Sequence, residues 1–581
     1  MSFYKTTISN VLVIGSGGAG LRAAIESKSL GLSVKIIGKR YKKDVHTVLA
    51  AGGINAAFGN IDSEDSWEQH FADTYIEGYG IGDSRIIEKM AKDAPNLVSE
   101  IDQWGANLSK TQDGKIDQRF FGAHTYRRTC YSGDFTGRSI LFALLNKAKS
   151  LNIKIDDDEY VTQLLVDKNN CFGAISFNRE TGMKTVFLAD STIIATGGHT
   201  KIWERSSSRK GENNGDGFYL GLKAGCKLID MEMVQFHPTG MLQPEEIAGT
   251  LVTEAVRGEG GMLFNNLGER FMKKYDPERM ELSTRDRVAC ACYSEITEGR
   301  CSESGGIFLD ISHKGKNFII KKLPNIYKQF LEFQRLDISK SAMEVAPTAH
   351  YSMGGIKVSP IDHSTEINGL FAAGEVAGGL HGANRLGGNS LAEILIFGKE
   401  VGISAVNYSR HLENHMRSRK VIEEAISYID NFIKEGDEDS TSITYELGEI
   451  MWKYCGVSRD GEKIKIGLKM INDLKKRAQN IDVRINEAGC DSLIKAFDLQ
   501  SSLYSAEATL LSALTREESR GAHQRIDFPE LDKEPTYNVL IKYTKNNFVI
   551  SKKESVIPDE ALKKFIKQTN NIDNLQGKLL E

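Results

Sequence analysis

The residues best suited to chemistry sit in glycine-rich surroundings. Gly15-Ser16-Gly17-Gly18-Ala19-Gly20 fits G-x-G-x-x-G between an apolar run at 11–14 and an Ala-rich stretch at 21–29. A strand, a tight glycine turn and a helix in that order let the backbone approach a pyrophosphate, whose charge sits against the helix N-terminus. The next strand of such a unit ordinarily ends in an acid that holds a ribose hydroxyl. Here it ends Ile37-Gly38-Lys39, which argues against an ordinary NAD site. Just beyond come Val45-His46-Thr47-Val48 and then Gly52-Gly53. An isolated loop histidine usually only meets water. His46 stands out because it falls where the chain passes the cofactor, ahead of a glycine pair that permits close backbone approach. The eight cysteines, Cys130, Cys171, Cys226, Cys290, Cys292, Cys301, Cys455 and Cys490, show no C-x-x-C spacing. They read as reduced thiols rather than ligands of zinc or an iron–sulfur cluster.

These residues need a scaffold, and the pattern suggests one. Residues 11–37 read as strand, turn, helix, strand, the opening of a βαβ unit. Later, an apolar run at 191–195 leads into Thr196-Gly197-Gly198, and another at 369–373 into Gly374-Glu375. Three distant strands that end in glycine turns predict one nucleotide domain assembled from 1–235 and 346–402, with an inserted capping domain at 236–345. From 403 the pattern turns helical. Ile422, Ile426, Ile429 and Ile433 fall at helical spacing, as do Leu503, Ala506, Leu510, Leu511 and Leu514, with an acidic loop at 435–439 between them. The predicted helical domain is 403–520, followed by a C-terminal segment at 521–581.

Bulk properties exclude several classes. Of 581 residues 40% are hydrophobic and 26% charged, ordinary for a soluble globular protein. A net charge of -4 without a basic run gives no hint of nucleic acid. Glycine, at 55 residues, exceeds the usual share of ~7%. No apolar stretch approaches the ~20 residues that span a bilayer, and no signal or transit peptide opens the sequence. The expectation is a chain kept on the cytoplasmic side, with any membrane attachment made through a partner.

From Val11 to about Asp527 the sequence resembles the flavoprotein subunits of succinate dehydrogenase and fumarate reductase. The motifs that carry the resemblance come in the family's order. They are His46-Thr47-Val48 before Gly52-Gly53; Gln235-Phe-His237-Pro-Thr-Gly240; Thr253-Glu254-Ala-Val-Arg257; Ser283-Thr-Arg285-Asp286; His350-Tyr-Ser-Met-Gly-Gly355; Gly374-Glu375 leading to His381-Gly-Ala-Asn-Arg385-Leu-Gly-Gly-Asn-Ser390-Leu391; and Glu518-Ser-Arg520-Gly-Ala-His523. The implied class is α/β: a Rossmann-like FAD-binding domain with an inserted α+β capping domain, then a helical domain and a C-terminal tail. The resemblance implies succinate–fumarate interconversion on FAD bonded covalently to His46. For the cofactor it implies contacts from Gly15, Gly17, Gly18, Ala19, Gly20, Lys39, Thr47, Gly52, Gly53, Asp216, Glu375, Ser390 and Leu391. A four-carbon dianion needs donors at both ends. His237 and Thr253 are expected at one carboxylate, His350 and Arg385 at the other, and Phe121 against the substrate. Arg285, Glu254 and Arg257 match the family's proton relay, although a guanidinium stays protonated and is an unusual base.

The same resemblance implies an iron–sulfur partner and a membrane anchor with quinone, placing this chain peripherally on the cytoplasmic face of the inner membrane. Three alternatives stay open. One is a soluble fumarate reductase with another electron donor. Another is L-aspartate oxidase, which shares the build but lacks the flavin histidine. The third is a non-catalytic flavin-binding assembly protein. Physiological direction is not legible, because the position that differs between enterobacterial reductases (Glu) and dehydrogenases (Gln) is Ala51 here.

Overall fold

The apolar runs at 11–14 and 191–194 become neighbouring strands of a seven-stranded sheet in the computed structural model, which describes residues 4–415, 417–485, 489–532 and 536–572. Tyr4–Ile14 and Lys184–Ile194 run parallel, with Ile14 opposite Ile194. Leu370–Ala372 also runs parallel to Lys184–Ile194, with Ala372 opposite Ile194. Val34–Ile37 flanks the first strand on its other side. Val11, Leu12 and Val13 are fully buried, as a parallel sheet covered on both faces requires. Three strand ends from distant parts of the sequence therefore lie side by side, and their glycine turns open onto one carboxyl edge, where α/β sheets bind ligands. The first strand starts earlier than its apolar run. Its polar residues from Tyr4 continue the ladder because backbone pairing does not need apolar side chains.

The helix Gly18–Ser29 packs between this sheet and the long helix Asn389–Arg410. The inserted segment builds a four-stranded antiparallel sheet in the order Val234–Met241, Met343–Ser352, Ile307–Asp310, Met262–Phe264. It has its own core, with Val252, Leu263, Ile307 and Val345 fully buried. The expected boundaries at 236 and 345 fall inside two strands that pair with each other, His237 opposite Thr348. Entry to and exit from the inserted segment thus form a single ribbon.

Four helices follow, Arg419–Phe432, Ser440–Tyr454, Gly461–Arg477 and Asp491–Thr515. Of the isoleucines at helical spacing, Ile426 and Ile429 are buried, whereas Ile433 lies past the helix end and is exposed. The C-terminal segment carries a hairpin, Tyr537–Thr544 with Asn547–Glu554, which joins a sheet through Lys227–Ile229. Its helix, Glu560–Ile572, packs on Trp67–Glu77. The remainder of that expected segment, 573–581, lies outside the described residues. All eight cysteines are free. Among the described residues no helix is long and apolar enough to cross a membrane.

Arg516 ties the parts together. It is wholly buried and pairs with Glu232 at 2.7 Å, Glu518 at 2.8 Å and Asp230 at 3.2 Å. Removing one member of a buried ionic set strands the others without counter-charge. Arg516→Ala is therefore expected to cost about 3–5 kcal/mol of stability, read as a lower midpoint in chemical denaturation.

Candidate active site

The ribbon of Val234–Met241 and Met343–Ser352 brings His237 and His350 together, their rings edge to face with centroids 5.3 Å apart. The Thr239 backbone N–H donates to His237 Nδ1 at 3.2 Å. The neutral ring then carries its proton on Nε2, which is buried and has no partner among the described residues. Burial and the nearby Arg285 push His237 well below the usual histidine range, so it is a neutral donor. His350 Nδ1 lies 2.9 Å from the Ser207 hydroxyl, and burial with Arg385 holds this ring neutral as well.

Opposite the histidines stand two arginines. Arg285 begins the helix Arg285–Thr297, and Arg385 lies just before Asn389–Arg410. Arg285 Nη1 and Arg385 Nη2 both donate to Gln235 Oε1, at 3.1 and 3.0 Å. Gln235 Nε2 donates in turn to Asn384 Oδ1 at 2.8 Å and to the Arg385 carbonyl at 3.0 Å. One amide therefore holds two like charges in register. Glu254 Oε2 neutralises Arg285, accepting from Nε at 2.8 Å and pairing with Nη2 at 2.6 Å. Burial works to raise Glu254, but Arg285 and Arg257 outweigh it and hold the carboxyl at about 2. Arg385 has no carboxylate partner among the described residues. It donates to Ser390 Oγ at 3.2 Å and lies over the Tyr351 ring, and its Nε is buried without a partner. Burial, reinforced by Arg285, lowers its pKa to about 10. A buried guanidinium left this way is costly, and a bound anion would complete it.

Phe121 is wedged between Gly52 and Gly387, where an added Cβ would come within 2.9 and 3.0 Å of its ring. Thr253 lines the cleft while its hydroxyl accepts the Ala255 N–H at 3.4 Å. Arg257 is not on the cleft wall. It lies behind Glu254 and donates to the Glu281 carbonyl at 2.6 Å, with Nε and Nη2 buried and without partners among the described residues.

The same cleft continues along the carboxyl edge of the large sheet. Gly15 has φ +115°, and a Cβ there would meet the Ala195 carbonyl at 2.1 Å. Gly20 closes the turn from behind rather than lining the cleft, its would-be Cβ being 2.0 Å from the Gly15 carbonyl. Gly17, Gly18 and Ala19 open a helix with no side-chain cap, and the Thr47 hydroxyl accepts the Gly18 N–H at 3.1 Å. The Ser16 and Thr196 hydroxyls are buried without partners among the described residues. Two acids from elsewhere in the chain lie against Lys39. Lys39 pairs with Asp216 at 3.0 Å and with Asp498, and Asp216 keeps a second oxygen buried and without a partner among the described residues. Glu375 accepts the Ser352 N–H at 2.9 Å, and burial pushes it up to about 7 against the pull of His46. His46, Gly52, Gly53, Ser390 and Leu391 complete the lining. Capless helix ends, unpartnered hydroxyls and a free carboxylate oxygen fit a dinucleotide's phosphates and hydroxyls.

Four functional neighbours are not picked out by sequence reasoning: Gln235, Ser207, Asp498 and Glu212, the last with Oε1 3.0 Å from His46 Nδ1. Gln235 alone carried a signal, lying two positions before His237 in a strand.

The sequence matches the FAD binding domain family over residues 10–391 and the fumarate reductase flavoprotein C-terminal family over 444–565. It is 44% identical over 534 residues to a fumarate reductase (CoM/CoB) polypeptide of Methanothermobacter marburgensis, covering 92% of this chain and 96% of that one. It is 35% identical over 546 residues to the succinate dehydrogenase flavoprotein subunit of Rickettsia bellii, covering 90% of each. Among solved structures it is similar to E. coli quinol fumarate reductase, with TM-score 0.91, 31% identity and 95% and 98% of the two chains covered. It is similar also to Mycobacterium smegmatis Sdh1, with TM-score 0.88, 38% identity and 96% of each chain covered. The dinucleotide is FAD.

Gln235→Leu leaves two guanidinium N–H groups unpartnered. A hydrogen bond to a charged group contributes about 1.5–3 kcal/mol. Affinity for a small dicarboxylate such as malonate, followed by the flavin absorbance change on titration, is expected to fall about tenfold or more.

Proposed function

The chain belongs to the succinate dehydrogenase and fumarate reductase flavoprotein family, and on that footing we propose that it interconverts succinate and fumarate on FAD joined covalently to His46. One observation carries the proposal: two neutral histidine donors and two guanidinium groups converge on the cleft that holds the cofactor cradle. When bound, the flavin supplies reversible hydride transfer. His237 Nε2 and the Thr253 hydroxyl hold one carboxylate, and His350 and Arg385 hold the other, supplying the counter-charge that Arg385 lacks. Phe121 closes one side against water.

Arg285 moves the proton to or from the substrate carbon. A guanidinium does not persist as a neutral base, so its loss and gain of a proton are concerted, with Glu254 as the neighbour through which the proton passes. Arg257, behind Glu254, continues the path away from the cleft. The resting charge of Arg285 also offsets negative charge that builds on the substrate.

The cysteines carry no cluster-holding spacing, so we place the electron outlet on an iron–sulfur partner and a quinone-bearing membrane anchor, with this chain peripheral on the cytoplasmic face. The similarity to structures described with UQ1 and with menaquinol supports quinone as the far partner. A second arrangement, a reductase that draws on another donor, is favoured by the 44% identical relative named for CoM/CoB. Purification with native partners, followed by assay with quinol and with thiol donors, separates the two.

Arg285→Lys is expected to cut succinate–dye and fumarate–viologen turnover by about a thousandfold, within the range for a positioned acid–base group, with FAD content unchanged. Substantial residual turnover would remove the relay. Acid-denatured protein is expected to keep flavin fluorescence on the polypeptide band, and His46→Ala to lose it while still binding FAD.

A further inference from the structure

We propose that Glu212 is a positioning residue for His46, holding its imidazole so that Nε2 forms the bond to the flavin methyl carbon; this rests on the covalent linkage proposed above. Glu212 lies in the loop before the helix Asp216–Ala224 and is 6% exposed. Its Oε1 lies 3.0 Å from His46 Nδ1 and accepts the Arg209 backbone N–H at 2.7 Å and Arg209 Nε at 3.2 Å. Its Oε2 accepts Arg209 Nη2 at 3.0 Å. Arg209 also donates to the Asp44 carbonyl at 2.8 Å and pairs with the Asp44 carboxylate, two residues before His46. Arg40 Nε donates to that same carbonyl at 3.0 Å. The carboxylate and the turn that carries the histidine are therefore clamped to each other at two points.

A carboxylate can only accept, so the hydrogen at this contact belongs to Nδ1. The neutral ring then has its lone pair on Nε2, the nitrogen left to react. As Nε2 bonds to carbon, positive charge builds on the imidazole directly against Glu212, and the Nδ1 proton is the one that departs. Bond formation removes one hydrogen from the methyl carbon and one from the imidazole. The electron pair released enters the flavin ring and is carried off by fumarate, the oxidant of the proposed reaction. Orientation and charge stabilisation thus come from a single side chain. Glu375 and Arg209 are the other charged groups acting on His46, and Arg209 is already committed to Glu212 and Asp44.

The test uses the full chain expressed as wild type, Glu212→Gln and Glu212→Asp. Covalent flavin after acid denaturation, total FAD and thermal midpoint are read together with the rate of covalent attachment after FAD and fumarate are added to apoprotein. Glu212→Gln is expected to keep total FAD and the thermal midpoint, but to carry less than about a tenth of the wild-type covalent fraction. Glu212→Asp, which retains the charge one methylene further back, is expected to attach FAD at least about fivefold more slowly and to exceed the Gln variant in yield. A wild-type covalent fraction in folded Glu212→Gln overturns the inference. If that variant does not fold, an unchanged attachment rate in Glu212→Asp overturns it. Wild-type protein without covalent flavin overturns the linkage and this inference together, whereas covalent flavin in both wild type and Glu212→Gln overturns only the inference.

Discussion

The site depends on holding two guanidinium groups side by side, away from water, before any substrate arrives. At an effective dielectric constant of 20, two unit charges ~4 Å apart repel by about 4 kcal/mol. The fold contains that repulsion with one shared acceptor, Gln235 Oε1, and one counter-ion, Glu254 on Arg285. Arg385 is left with hydrogen bonds and an aromatic face but no anion among the described residues. Burial, reinforced by the resulting field, keeps the nearby histidines neutral, so that they offer hydrogen bonds without adding charge. Four side chains thus divide two tasks. The arginines supply charge, and the histidines supply direction.

The inserted segment joins the flavin domain through one paired ribbon. Val234–Met241 and Met343–Ser352 are both the connections to the inserted segment and the carriers of His237 and His350. Arg285 belongs to the inserted segment and Arg385 to the flavin domain, and Gln235 joins them across the divide.

Much of this was legible in the sequence because the chemistry is concentrated in short motifs. The glycine turn from Gly15, the strand ends at 194 and 372, and His46, His237, His350 and Arg385 all come from local patterns or from the family resemblance, and the structure puts them around one cleft. What was not legible depends on long-range placement. Asp498, which pairs with Lys39 beside Asp216, arrives from a distant helix. Glu212 has no spacing relative to His46 that suggests contact. Arg257 matches its motif yet sits behind the cleft wall, because the short turn that carries it faces Glu281. The C-terminal hairpin has mixed composition and acquires its register only by pairing with Lys227–Ile229.

The central sheet also constrains when the cofactor can be captured during synthesis. Its pyrophosphate turn is made from the first twenty residues, but the neighbouring strand ends come from Lys184–Ile194 and Leu370–Ala372, and the facing helix starts at Asn389. Pairings so remote along the chain close late and slowly. A nascent polypeptide shorter than about two thirds of its length therefore lacks the far wall of the nucleotide groove, and its Gly15 turn faces an unfinished edge. Flavin acquisition then follows closure of that groove, and the cofactor acts as a clasp on a sheet that is already assembled.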